Sequence, residues 1–140
     1  MRGHLFLVLS LALLLLCSAF ALAQSNVVVT TLDNEITLSD EASFNVKITN
    51  NDRAAQAYTL YGLDVLWDIL PEHRQFTLSP RESRDVFVRV KPLGPFKPSS
   101  YSLKLFIDTS RPGSNLPTGR YDRELPIILY PDEPADYVPS

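Results

Sequence analysis

Cysteine is nearly missing from this 140-residue chain. There is one, Cys17, beside one methionine, two histidines and one tryptophan. Cys17 falls inside the apolar N-terminal segment, so the rest of the chain carries no thiol. That excludes a disulfide framework, a Cys–His nucleophilic pair, a zinc cluster and haem ligation by cysteine. His73 is the one histidine beyond that segment, which leaves no histidine pair for a metal and no His-based triad. An excess of positive charge is lacking too. Thirteen bases face sixteen acids, a formal net charge of −3, and a mildly acidic chain does not suit nucleic acid as a partner. Glycine is scarce, five residues against eleven prolines. No stretch repeats its apolar residues every 3.6 positions, so the pattern of an amphipathic helix is absent.

Long hydrophobic runs are also few. Leu5 to Leu16 is the only one, and at about a dozen residues it is short of the roughly 20 that span a bilayer. Met1-Arg2-Gly3-His4 is a short basic start, and Ala21-Leu22-Ala23 is a small-x-small cleavage pattern. Together they read as a secretory signal peptide over residues 1–23, cut after Ala23. Cys17 follows Leu16, which is too large for a lipobox. A secreted or cell-surface protein is expected, with residues 24–140 as the mature chain and no transmembrane span after cleavage.

What is present is period-two alternation, the mark of half-buried strands. Ala42, Phe44, Val46 and Ile48 face one way, and Ser43, Asn45, Lys47 and Thr49 the other. Val27 and Val29 open a first strand. Val65, Trp67 and Ile69 share a face in a run that Pro71 stops. Phe76 and Leu78 precede Pro80. Val86, Val88 and Val90 alternate with polar neighbours, as do Tyr101, Leu103, Leu105 and Ile107, then Leu125, Ile127 and Leu129. Pro126 lies inside the last run. A central strand would lose a ladder bond there, so that strand should lie at an edge or be bulged. Seven to nine short strands at this spacing predict an all-β protein, an antiparallel two-sheet sandwich of residues 24–130. Pro131 to Ser140, with three prolines and three acids, reads as a linker or tail.

Several segments in order carry a family pattern. They are Phe44-Asn45-Val46-Lys47-Ile48-Thr49-Asn50, then Trp67, then Thr77-Leu78-Ser79-Pro80-Arg81-Glu82-Ser83, then the Val86–Val90 alternation, then Ser100-Tyr101-Ser102-Leu103. This resembles the Ig-like additional domains of bacterial and archaeal exported surface proteins, the NEW3 and CARDB type, over about residues 26–130. The resemblance implies an Ig-like sandwich in a prokaryotic surface protein. Two turn positions depart from it: Arg81 and Ser100 stand where the pattern has glycine.

Trp67 reads as a core anchor between the sheets, joined by Phe44, Val46, Ile48, Val88, Leu103 and Leu105. A ligand-stacking tryptophan, as in a carbohydrate-binding module, is the other reading. Phe87 and Phe106 sit on the polar phase of their strands. They are either ordinary exposed apolar residues or an interaction surface, to which Tyr58, Tyr61, Tyr121, Tyr130 and Tyr137 add amphipathic area. His73 belongs to a polar turn. Asn50, Asn51 and Asp52 are turn residues, and the acids Asp132, Glu133 and Asp136 lack the spacing of a calcium loop.

The chain offers no carboxylate pair in an apolar setting and no nucleophile–base pair. The expected function is therefore non-catalytic: an exported structural or adhesion module, the N-terminal Ig-like domain of a cell-surface protein. It would need no cofactor and no metal, and its partners would be proteins. The alternative is an Ig-like module that binds a glycan or inhibits a protease. That reading rests on Trp67, the tyrosines and two long loops, 92–100 and 110–119.

Overall fold

The computed structural model describes residues 25–132. The expected signal segment and residues 133–140 of the proline-rich exit lie outside the described residues. Nine strands follow one another: β1 (Asn26–Asp33), β2 (Glu35–Ile36), β3 (Ala42–Thr49), β4 (Gln56–Tyr61), β5 (Trp67–Pro71), β6 (Gln75–Leu78), β7 (Ser83–Pro92), β8 (Ser99–Ser110) and β9 (Pro117–Leu129). They form a four-stranded sheet, β1-β3-β7-β5, and a five-stranded sheet, β2-β9-β8-β4-β6. All pairs are antiparallel except β2–β9. The protein is an Ig-like two-sheet sandwich.

Alternation decides which side chains meet between the sheets. Phe44, Val46 and Ile48 of β3 and Val86, Val88 and Val90 of β7 are wholly buried. They face Tyr58 and Leu60 of β4, Leu103, Leu105 and Ile107 of β8, and Leu125, Ile127 and Leu129 of β9 within one core. Each buried aliphatic contributes about 1.5–3 kcal/mol relative to exposure, enough for one core without a disulfide.

The long β9 lies at an edge for most of its length, because β2 covers only Ile128 and Leu129. The amides of Ile128 and Tyr130 donate outward, to the carbonyls of Asn34 and Ile36, both at 2.8 Å. Backbone groups alternate sides along a strand, so the nitrogen of Pro126 also faces outward and the ladder to β8 loses nothing. A register shift leaves Thr118 without a partner of its own between the Thr109–Gly119 and Ser110–Pro117 pairs. Inward-pointing Arg123 donates from Nε to the Val27 carbonyl at 3.1 Å and from Nη1 to the Asp122 carbonyl at 2.6 Å. A bulge, a proline and an inward charge are devices that keep an edge from pairing with a foreign strand.

Two sequence expectations need correction. Val65 does not share the face of Trp67 and Ile69, because β5 starts only at Trp67 and Val65 is 85% exposed. The Asp64 carboxylate accepts the Leu66 amide at 3.0 Å, a local turn that competes with strand pairing. Tyr58, expected to add exposed amphipathic area, is 1% exposed and packs in the core, and the turn residue Asn50 is itself buried. Its Nδ2 donates to the carbonyls of Ala54, Leu78 and Ser79, and its Oδ1 accepts the Asp52 amide at 2.9 Å.

Candidate functional site

The outward side chains of the five-stranded sheet form cross-strand rungs. Thr59 of β4 lies between Gln75 of β6 and Asp108 of β8. One rung along, Ala57 lies between Thr77 and Ser110. In the other direction Tyr61 pairs with Phe106, their rings stacked with centroids 5.6 Å apart. Ala57 is the shortest side chain of the floor, so the sheet surface dips there. The β8–β9 hairpin loop, residues 111–116, stands along one side, and Gly113 takes the left-handed φ of 81° that its turn requires. The result is an open groove of about 580 Å³ lined by both rungs and by Ser114, Asn115 and Pro117.

Beside the groove, Asp108 is the centre of a charge network. Arg120 Nε donates to Asp108 Oδ1 at 2.7 Å and Arg120 Nη2 to Oδ2 at 3.3 Å, while the Tyr61 hydroxyl donates to Oδ2 at 2.9 Å. The Arg120 hydrogen bond holds the Asp108 carboxyl below its usual range, against partial desolvation and with help from Tyr61. Desolvation and the anionic partner push the Tyr61 phenol up. Asp108 raises Arg120 in return. The network thus holds an ionised carboxylate, a guanidinium cation and a neutral phenol.

Phe87 and Phe106 are not brought together. Phe106 lies half-buried on the outer face of the five-stranded sheet, and Phe87 lies exposed on the outer face of the four-stranded one. Trp67 is 4% exposed. Phe96 from the 93–98 loop stacks on it at 4.7 Å and Tyr101 approaches at 5.5 Å. The Tyr101 hydroxyl donates to the Lys97 carbonyl at 2.6 Å, the tyrosine corner typical of Ig-like sandwiches. Phe96 and Tyr101 are themselves 5.4 Å apart, so the three rings form one aromatic cluster at the end of the sandwich where that loop lies. Phe44, Val46, Ile48, Val88, Leu103 and Leu105 lie in the core. His73 is exposed between β5 and β6. Among the described residues, no three His, Cys, Asp or Glu side chains converge as metal ligands.

Sequence reasoning missed the Asp108–Arg120 pair. The signal was available: pairing the Tyr101–Ile107 alternation with the Leu125–Leu129 alternation as a hairpin brings the two charges opposite one another. It also missed an apolar cluster at the end of the sandwich. Leu63, Val65, Leu66 and Leu93 are exposed by 67%, 85%, 49% and 58%, and the Leu93 amide donates to the Leu66 carbonyl at 2.8 Å.

No protein-family profile matches the chain, and no curated protein matches it by sequence. Solved structures do. One similar structure is a protein of unknown function from Porphyromonas gingivalis W83, at 16% identity and a TM-score of 0.59, covering 78% of this chain and 50% of that one. This chain therefore spans half the length of that protein. Another is the cupredoxin domain of amoB from Nitrosocaldus yellowstonii, at 8% identity and a TM-score of 0.58, covering 84% and 97%. A third is SSP-19, an MSP-domain-like protein of Caenorhabditis elegans, at 12% identity and a TM-score of 0.50, covering 69% and 94%. At these identities the likeness concerns the β-sandwich fold. It does not extend to a blue-copper ligand set, which takes two histidines and a cysteine, because the described residues hold one histidine and no cysteine.

Proposed function

We propose that the protein is a non-catalytic interaction module of an exported cell-surface protein and that it works through contacts with other proteins. The observation that carries this is the exposed aliphatic cluster of Leu63, Val65, Leu66 and Leu93. Four large apolar side chains are exposed on two loops joined by the Leu93–Leu66 hydrogen bond, and exposed apolar groups gathered in this way mark contact sites. The chain leaves the sandwich at the same end. Leu129 pairs with Ser99, which directly follows the 93–98 loop, and the Asp132 carboxylate accepts the Ser39 hydroxyl at 3.2 Å. Asp132 and the patch thus lie at the same end of the sandwich, and a protein domain is the occupant proposed for the patch. The signal-like N-terminus supports export.

Site-specific photo-crosslinking in intact cells tests the reading. Probes at positions 65 and 93 should give protein adducts, and a probe at His73, exposed away from the patch, should give none. Equal labelling at all three positions, or none at 65 and 93, would overturn it.

A further inference from the structure

We propose that the groove on the outer face of the five-stranded sheet is a binding site for a neutral carbohydrate. This is independent of the protein-contact reading, which concerns the loops at the end of the sandwich.

The floor of the groove consists of two adjacent rungs, Gln75–Thr59–Asp108 and Thr77–Ala57–Ser110. They present an amide, three hydroxyls and a carboxylate around one methyl group. The hairpin wall adds the hydroxyl of Ser114 and the amide of Asn115. At about 580 Å³ the volume lies within the usual range for small-ligand sites, roughly 300–1,000 Å³. The ligand class follows from what these groups can and cannot recognise. Hydroxyls and amides both donate and accept, so they match a ligand whose own groups do both at close spacing, as vicinal sugar hydroxyls do.

Phosphorylated or carboxylated ligands are disfavoured, because the ionised group among the lining side chains is the Asp108 carboxylate. A cation is disfavoured as well, because Arg120 already balances that charge at 2.7 Å. A peptide would need either an apolar anchor pocket or free strand backbone. The large side chains beneath the floor, Tyr58 and Phe76, are buried in the core, and β4 is paired on both sides; the free backbone edge is that of β6, where an added strand would lie beside the groove rather than in it.

Asp108 is well placed to accept from two adjacent ligand hydroxyls. Arg120 and Tyr61 fix its carboxylate plane, and each carboxylate oxygen has lone pairs beyond the bonds it already accepts. The stacked Tyr61–Phe106 rung lies next to the Thr59–Asp108 rung on the same face. It offers apolar ring surface to the C–H face of a sugar that extends along the strands.

The test is a titration of the isotope-labelled chain, followed by backbone amide shifts, with glucose, N-acetylglucosamine, maltose, cellobiose, chitobiose and lactose. At least one sugar should shift amides of 57–59, 75–77, 108–110 and 113–116 saturably. Ala57→Leu fills the dip with an outward side chain and should abolish those shifts while leaving the melting temperature within a few degrees. Thr59→Val removes one hydroxyl at nearly constant volume and should weaken binding at least tenfold. No saturable shift with any of the six sugars overturns the proposal. So does sugar binding that survives Ala57→Leu, and so does saturation by an unrelated peptide at the same amides.

Discussion

The main-chain carbonyl of Asn50 accepts the amide of Arg81 at 2.8 Å, and the Asn50 amide donates to the neighbouring Glu82 carbonyl at 2.9 Å. The end of β3 is thereby tied to the turn between β6 and β7, one of the connections that cross between the sheets. The side chain of Asn50 completes the knot through the carbonyls of Ala54, Leu78 and Ser79.

Asn50→Ala should destabilise the protein by about 2–3 kcal/mol, because the bond to the Leu78 carbonyl is buried and the bonds to Ala54, Ser79 and the Asp52 amide are lost with it. In thermal unfolding the melting temperature should fall by roughly 10 °C or more. Asn51→Ala, next in sequence and only partly buried, should change stability by less than about 0.5 kcal/mol. Equal effects at the two positions would mean that the Asn50 network contributes little.

Arg81 has φ of 69°, the single positive-φ non-glycine among the described residues. A side chain there is strained by its Cβ against the backbone, and glycine relieves that strain. Arg81→Gly should therefore raise stability by about 0.5–1 kcal/mol, the gain being reduced by the greater freedom of glycine in the unfolded chain. Chemical denaturation should show a higher midpoint with an unchanged slope. A lower midpoint would show that the Arg81 side chain stabilises the turn in its own right.

The Asp108 network predicts an acid-side dependence. The folded protein holds the Asp108 carboxyl below its ordinary value of 3.8, so the unfolded chain takes up the proton at a higher pH. The network's stabilisation is then fully present above that ordinary value and is lost as pH falls through the folded one. Asp108→Asn, which cannot titrate, should lack this component. The stability gap between wild type and variant should be widest near neutral pH and close as the solution is acidified below pH 3.8. A gap that stays constant through that range would show that the Arg120 contact adds nothing to folding.

Much of the fold was legible because a strand's side-chain period of two is a local property. The runs at 42–48, 86–90, 101–107 and 125–129 each announced their buried face, and each buries it. Pro126 announced an edge, since proline withholds an amide wherever it stands. Trp67 could be expected in the core from its neighbour Ile69, but Val65 could not be placed by the same rule, because one Asp64 hydrogen bond outweighs a period of two. The rungs were not legible. Which strand lies beside which is settled by long-range packing between segments tens of residues apart, and only that pairing sets Gln75, Thr59 and Asp108 in a row and separates Phe87 from Phe106 on opposite outer faces. The amino-acid order by itself determined that this protein would be β, where its strands would bury apolar groups, and that the sandwich itself would carry no thiol. The tertiary structure alone decided the groove, the Asp108–Arg120–Tyr61 network and the exposed aliphatic end, because each arises from contacts between strands or loops that no local pattern specifies.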